Sequence, residues 1–263
     1  MKKIHWIALS AGLGGAFAVG KIIARRCHDP VDIDDDNVYL DFSVSSDKKK
    51  DDCVKEKDAN FYKKYGKPIL DNVLSFGGLI ILSPLYGAIS LAIQIDDPGP
   101  VFFTQKRVGK DKHFFILHKF RSMKMSTPHE TPTHLLDNPE QYITKVGSII
   151  RRLSIDELPQ IFDIFIGNMS IIGPRPALWN QDDLVNERDK YGANDVMPGL
   201  TGWAQIHGRD ELEIAEKAKL DGDYVKKLRA SNGSGAKIDA QCFFGTISSV
   251  VKSEGVVEGA DGA

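Results

Sequence analysis

Between Val73 and Ile93 the chain carries no charged side chain, over a stretch about as long as a bilayer is thick. Few features restrict a fold more. By length alone such a segment is a transmembrane helix. At its middle stands Ser83-Pro84. A proline inside a helix deletes one backbone hydrogen bond and clashes with the carbonyl four residues earlier, so the helix kinks there. Each half is then too short to cross a bilayer. The free carbonyl needs a new donor, and the Ser83 hydroxyl is adjacent. Two architectures remain open from these residues alone, a kinked transmembrane span and a re-entrant hairpin of helix.

About sixty residues downstream lies a second constraint, Arg151-Arg152-Leu153-Ser154-Ile155-Asp156-Glu157-Leu158-Pro159-Gln160, followed by Gly173-Pro174-Arg175-Pro176. Two adjacent carboxylates sit between paired arginines and a proline-flanked arginine. Carboxylates serve as nucleophiles or bind hard divalent cations, and arginines neutralise phosphate. The combination points to phosphoryl chemistry. Ser154 reads as an N-cap, with Glu157 completing a capping box. Leu158, Ile161, Phe162 and Phe165 fall on one apolar face of a helix that ends near Gly167. Pro159 argues for a late start to that helix. Asp156 is therefore expected at a helix entrance, ionised by the dipole and the nearby cations. The plainer reading of Ser-x-Asp-Glu is a helix cap and nothing more. What weighs against it is Arg175, whose two flanking prolines hold its backbone in place.

These residues carry a family resemblance. From about Lys67 to Glu254 the chain resembles the small monotopic phosphoglycosyl transferases of bacteria, in the bacterial sugar transferase family. The landmarks are Ser83-Pro84, Phe103-Thr104-Gln105-Lys106-Arg107-Val108-Gly109, His118-Lys119-Phe120-Arg121-Ser122-Met123 and Ser154-Ile155-Asp156-Glu157-Leu158. Gly173-Pro174-Arg175-Pro176, Pro198-Gly199-Leu200-Thr201-Gly202-Trp203-Ala204-Gln205 and Leu220-Asp221-Gly222-Asp223-Tyr224-Val225 complete them. Each is weak alone; seven in order are strong. The resemblance implies an enzyme that moves a phosphosugar from a UDP-sugar to a polyprenyl (undecaprenyl) phosphate. It implies Asp156 as nucleophile, Glu157 as ligand of Mg2+, Arg151 and Arg175 on phosphate, and a supporting role for Asp221. Lys119, Arg121, Gln205 and Arg209 are further substrate or support candidates. It also favours the re-entrant helix, with the catalytic domain on the cytoplasmic face of the bacterial inner membrane. Pro159 departs from the family pattern, and the N-terminal extension lies outside it.

The expected fold class is α+β: a mostly helical monotopic membrane enzyme with a re-entrant helix, a β-hairpin and interfacial amphipathic helices. Residues 1–26 read as an apolar anchor flanked by Lys2-Lys3 and Arg25-Arg26, and residues 27–66 as an acidic, polar linker. Residues 67–254 form the catalytic domain and 255–263 a tail. Asp32, Asp34 and Asp36 resemble a calcium loop only superficially, because Asn37 and Ser43 stand where glycine and glutamate are required. The net charge of −2 over 263 residues gives no basis for nucleic-acid binding. Cys27, Cys53 and Cys242 show neither zinc spacing nor a disulfide framework. The apolar N-terminal segment leaves a homo-oligomer open.

Pro100–Arg107 and His113–Met123 read as a β-hairpin around Gly109-Lys110-Asp111. Its basic residues face either a phosphate or headgroups, or simply guard a solvated edge. Residues 178–190 read as a polar helix. The loop from Pro198 to Arg209 suits a nucleotide diphosphate, although Trp203 is as well explained as core. Ile238, Cys242, Phe243, Ile247, Val250 and Val251 form an apolar stripe that either packs inward or meets the membrane interface.

Two other functions compete. Asp221-Gly222-Asp223 has the Asp-x-Asp form of metal-dependent glycosyltransferases, which move only the sugar and release UDP, but no nucleotide-binding βαβ unit precedes it. A non-catalytic membrane scaffold is the third reading, and it has no need of the intact charged residues.

Overall fold

The computed structural model describes residues 61–127, 139–208, 212–230 and 233–252. The anchor of 1–26, most of the 27–66 linker, Arg209 and the tail lie outside them. A turn of π-helix, Tyr62–Gly66, runs straight into helix α1, Lys67–Asp96. The folded body thus starts inside the stretch expected to be linker. Helix α1 is the one described helix long and apolar enough to cross a membrane, with a mean hydropathy of 1.9 over its most apolar window. Pro84 lies inside it, and the Ser83 hydroxyl donates to the Ile80 carbonyl at 2.8 Å. Ile80 is the residue whose carbonyl the Pro84 nitrogen cannot serve, so the expected rescue is in place.

Strands β1 (Phe102–Val108) and β2 (Phe114–Phe120) form the expected antiparallel hairpin, with Phe102 opposite Phe120 and Val108 opposite Phe114. Asp111 and Lys112 take positive φ in its turn. Helix α2, Lys145–Arg152, is capped by the Thr144 side chain, which accepts from the Gly147 N–H. Helix α3 is Gln160–Ile166. Strands β3 (Ser170–Ile172) and β4 (Gly199–Thr201) pair in parallel. Between them runs α4, Asp182–Asp189, and after them α5, Ile214–Arg229, and α6, Ser234–Lys252. The class is α+β and mostly helical with the expected hairpin, as the sequence predicts; the parallel β3–β4 pair is an addition to it.

Several small cores replace one large one. Tyr224, Val225 and Leu228 of α5 pack with Ile238 and Cys242 of α6 and Ile172 of β3. Phe115 and Leu117 of β2 meet Ile164 and Met169 around α3. Ile89 and Ile93, at the far end of α1, close over Phe120 and Ile150. The stripe on α6 divides: Ile238 and Cys242 are buried, whereas Phe243 and Ile247 stay exposed. Burial pushes the Cys242 thiol up to about 12.

One tight seam fixes the site. A Cβ on Gly199 would stand 2.1 Å from the Gly173 nitrogen, and one on Gly202 would stand 2.1 Å from the Gly173 carbonyl oxygen. No side chain fits either gap. These glycines let the Pro198 loop close on the segment that carries Arg175, where the Gly173 N–H donates to Thr201 O and the Gly199 N–H to Pro174 O.

Candidate active site

The dyad sits on a tighter turn than expected. Leu153 ends α2, Ser154 takes left-handed φ/ψ of 54° and 22°, and Ile155–Glu157 form a single 3-10 turn. Ser154 makes no side-chain cap. The capping box is therefore wrong: Glu157 turns away from the backbone because two cations offer a charge-assisted alternative. Pro159, with φ −58°, stands at the N-cap of α3, so the late start holds, and Gly167 ends α3 at φ 90°. The expected apolar face also holds in part. Phe165 stacks on Phe76 of α1, and Ile161 lies beside Gly78. Phe162 stays exposed.

Glu157 is the electrostatic centre. Its Oε1 accepts from Arg175 Nη2 at 2.6 Å and from Lys119 Nζ at 2.9 Å, and its Oε2 accepts from Arg175 Nη1 at 3.3 Å. Burial alone would push its carboxyl up, but Arg175 and Lys119 outweigh it and hold the group well below the usual carboxylate range. Asp156 differs. No described residue donates a hydrogen bond to its carboxylate, and burial lifts it to about 6 against the pull of Lys119, Arg151 and Arg175. At neutral pH Asp156 is still mainly ionised, as expected, although its pKa is raised and not lowered. Desolvation wins, because Glu157 takes up Arg175 and Lys119 directly.

Around this pair the arginines divide by task. Arg151 donates through Nε to Ser122 Oγ at 2.9 Å. Arg188, overlooked in the sequence, is buried on α4, where it donates to Asp221 Oδ2 at 2.6 Å and 2.8 Å and to the Arg175 carbonyl at 3.0 Å. Asp221 is thus linked to the Arg175 segment at one remove, through the arginine that donates to the Arg175 carbonyl. Arg107, also overlooked, donates to the Pro176 carbonyl at 3.0 Å. Burial and the neighbouring Arg175 lower it to about 10, so it stays cationic at neutral pH. Two buried guanidiniums therefore grip the backbone on either side of the Arg175–Pro176 bond. Their sequence signal was limited to the Gln-Lys-Arg-Val-Gly run and a polar helix.

Other candidates separate from the dyad. Arg121 pairs with Asp97, where α1 ends, and so braces the helix exit. The basic hairpin residues do not share one face: Lys106 lies over Phe114 while Lys119 reaches Glu157. Both amide atoms of Gln205 are buried without a hydrogen-bond partner among the described residues, in the loop that Gly202 seats against Gly173. Trp203 lies between Lys227 and His207 at 4.3 Å and 4.2 Å and packs on the α5–α6 core. Asp221 is buried and Asp223 exposed, so helical geometry points the Asp-x-Asp carboxylates apart.

No cluster of three or more His, Cys, Asp or Glu groups capable of holding a metal occurs among the described residues. Mg2+ is ordinarily held by one or two carboxylates with phosphate oxygens and waters. The residue that would hold it here is Glu157, whose Oε2 has one long contact among the described residues.

Residues 62–253 match the family model described as "Bacterial sugar transferase". The chain belongs to the bacterial sugar transferase family. Among its relatives, this chain is 40% identical over 164 residues to the UDP-glucose:undecaprenyl-phosphate glucose-1-phosphate transferase of Escherichia coli, covering 60% of this chain and 35% of that one. It is 37% identical over 179 residues to the protein of the same name from Xanthomonas campestris, covering 65% of this chain and 37% of that one. The chain spans about a third of the length of these two curated relatives. It is also 32% identical over 174 residues to the exopolysaccharide production protein ExoY of Sinorhizobium fredii, covering 61% of this chain and 76% of that relative.

Proposed function

We propose that this sugar transferase moves a phosphosugar from a UDP-sugar to a polyprenyl phosphate, undecaprenyl phosphate by analogy with its relatives, and so begins assembly of a surface polysaccharide or glycoconjugate. The observation that carries the reading is the contrast inside the dyad. Glu157 is locked between Arg175 and Lys119, while the Asp156 carboxylate accepts no hydrogen bond from the described residues and lies in the same cationic field. A carboxylate left uncommitted among cations is placed to attack an anionic phosphate.

An Asp156 oxygen attacks the β-phosphorus of the UDP-sugar. A new P–O bond forms, and the bond from that phosphorus to the bridging oxygen breaks. UMP leaves with the bridging oxygen and its electron pair, and the phosphosugar stays on the carboxylate. An oxygen of polyprenyl phosphate then attacks the same phosphorus, breaks the Asp156–phosphorus link and restores the carboxylate. Arg175, held in place by Glu157, Arg188 and Arg107, neutralises the phosphate while charge redistributes. Bound Mg2+ would add Lewis-acid neutralisation of phosphate charge, with Glu157 as its protein ligand.

The re-entrant reading of α1 draws support from where its ends are tied. Near the start, Lys67 pairs with Asp239 at 2.8 Å; at the finish, Asp96 accepts from the Val146 N–H at 2.8 Å. Ile80 and Ile81, beside the proline, are exposed at 59% and 78%. A straight span of this length would separate its ends by roughly 45 Å, with about 30 Å of hydrocarbon between them. One folded body cannot hold both ends across that slab. A helix that dips into the cytoplasmic leaflet and returns puts lipid and dyad on the same side.

The test uses the full chain in nanodiscs with Mg2+, polyprenyl phosphate and a panel of UDP-sugars. UMP release that depends on Asp156 is expected. Release of UDP would favour the sugar-only transferase, and a phenotype unaffected by Asp156→Asn would favour the scaffold.

A further inference from the structure

Helix α1 does more than anchor. Its two arms, on either side of Ser83-Pro84, make directional contacts with two different parts of the site. In the first arm, the buried Asp71 carboxylate accepts from Ser170 Oγ at 2.7 Å and from the Ile171 N–H at 3.1 Å. Those residues belong to β3, which leads through Gly173-Pro174 into Arg175. In the second arm, the Tyr86 hydroxyl donates to the Leu158 carbonyl at 2.6 Å. Leu158 is the residue immediately after Asp156-Glu157, and its N–H closes the dyad turn on Ile155 O. Helix α3 lies against the first arm, with Ile161 beside Gly78 and Phe165 on Phe76.

We infer that helix α1 is a two-armed clamp, in which Asp71 and Tyr86 are positioning residues that set the dyad turn against the Arg175 segment. The helix runs without interruption from Lys67 to Asp96 with Pro84 inside it. Its course through Pro84 sets how far the Asp71-held strand lies from the Tyr86-held turn. Between the dyad turn and the Arg175 segment, the Glu157–Arg175 ion pair, whose side chains are 13% and 35% exposed, is a direct side-chain bridge. An ion pair of that kind is too weak and too flexible to fix the spacing alone. The helix supplies the rigid reference, and bilayer insertion thereby becomes coupled to the geometry of phosphate capture. Each contact also has a purely local explanation, burial of a carboxylate and of a phenol. The coupling is what distinguishes the clamp from that explanation.

The inference rests on Asp156 as nucleophile only for its catalytic consequence; the geometric consequence stands without it. Spin labels at Arg152→Cys and Trp179→Cys, both exposed positions, report the separation of the dyad arm from the Arg175 arm. The background carries Cys27→Ser and Cys53→Ser, while the buried Cys242 is left in place. In nanodiscs of phosphatidylethanolamine and phosphatidylglycerol, the wild-type arms should give one narrow distance distribution. Tyr86→Phe with Asp71→Asn, and separately Pro84→Ala, should broaden or shift it while cooperative melting is retained. Unlabelled Tyr86→Phe should lose roughly ten- to a hundredfold in kcat for UMP release from UDP-glucose, with KM within about twofold, as expected for slight misplacement of reacting groups. Adding Tyr86→Phe to Pro84→Ala should cost little more, because the hydroxyl is already displaced. A distribution unchanged in all variants, or losses that simply multiply, would overturn the clamp even if wild-type UMP release is normal. Altered distances in an enzyme that releases no UMP from any UDP-sugar would retain the clamp and remove the proposed reaction.

Discussion

Two groups of charged residues, one at the dyad and one behind it, use the same chemistry to opposite ends. Behind the dyad, Asp221 and Asp239 are both paired with cations. Asp221 faces Arg188 with side chains 1% and 4% exposed, and Asp239 accepts from Lys67, Tyr62 and Tyr224 at 2.8, 2.7 and 2.9 Å. At the dyad, Glu157 is committed and Asp156 is not. A paired buried charge holds structure, and breaking it leaves its partner stranded. An uncommitted carboxylate contributes little to the fold and is free to react. The two groups touch through Arg188, which takes its charge balance from Asp221 and holds the Arg175 carbonyl.

The comparison breaks most sharply at Asp156. Asp156→Asn should abolish transfer and any burst of UMP without lowering the melting temperature at neutral pH. The sign follows from its raised pKa: the folded chain binds this proton more tightly than the unfolded chain. Stability from the group is full below 3.8 and is lost as pH rises through about 6. Loss of activity accompanied by unfolding would place Asp156 with the structural carboxylates.

Asp221→Ala should do the reverse. It strands Arg188 and should cost about 3–5 kcal/mol of stability in a denaturant titration. Residual activity should fall chiefly in apparent UDP-sugar affinity, through Arg175. A variant as stable as the parent would show that Arg188 finds another partner.

Both groups were unequally legible in the sequence. Asp156, Glu157, Arg175 and the Ser83 rescue of the proline gap depend on neighbours within a few residues, so local rules exposed them. The hairpin and the Gly167 stop were legible for the same reason. Arg188 and Arg107 were missed because each acts on the Arg175–Pro176 backbone from another element, and nothing in a single sequence marks such pairings. The partner of Arg121 was hidden for that reason too: Asp97 stands at the end of α1. Ser154 failed differently. A serine in left-handed conformation is rare, and the preference for N-caps concealed a turn that only the charges of Lys119 and Arg175 make worthwhile.

A smaller effect concerns pH. The rate of UMP release in a single turnover should rise with pH along a limb of apparent pKa about 6, because Asp156 must ionise to attack. Glu157, held well below the usual range, should add no second step in that window. A limb near the ordinary aspartate value would show that water or a bound cation relieves the desolvation of Asp156.

The central claim is that Asp156 stores the phosphosugar between two substrates. Incubating the enzyme in nanodiscs with Mg2+ and UDP-sugar, but no polyprenyl phosphate, and weighing the peptide that contains Asp156 tests it directly. A mass increase of one phosphosugar on that peptide, absent from Asp156→Asn and discharged on adding polyprenyl phosphate, is the predicted result. An unmodified peptide in an enzyme that then transfers at full rate, only when both substrates are present, would contradict it.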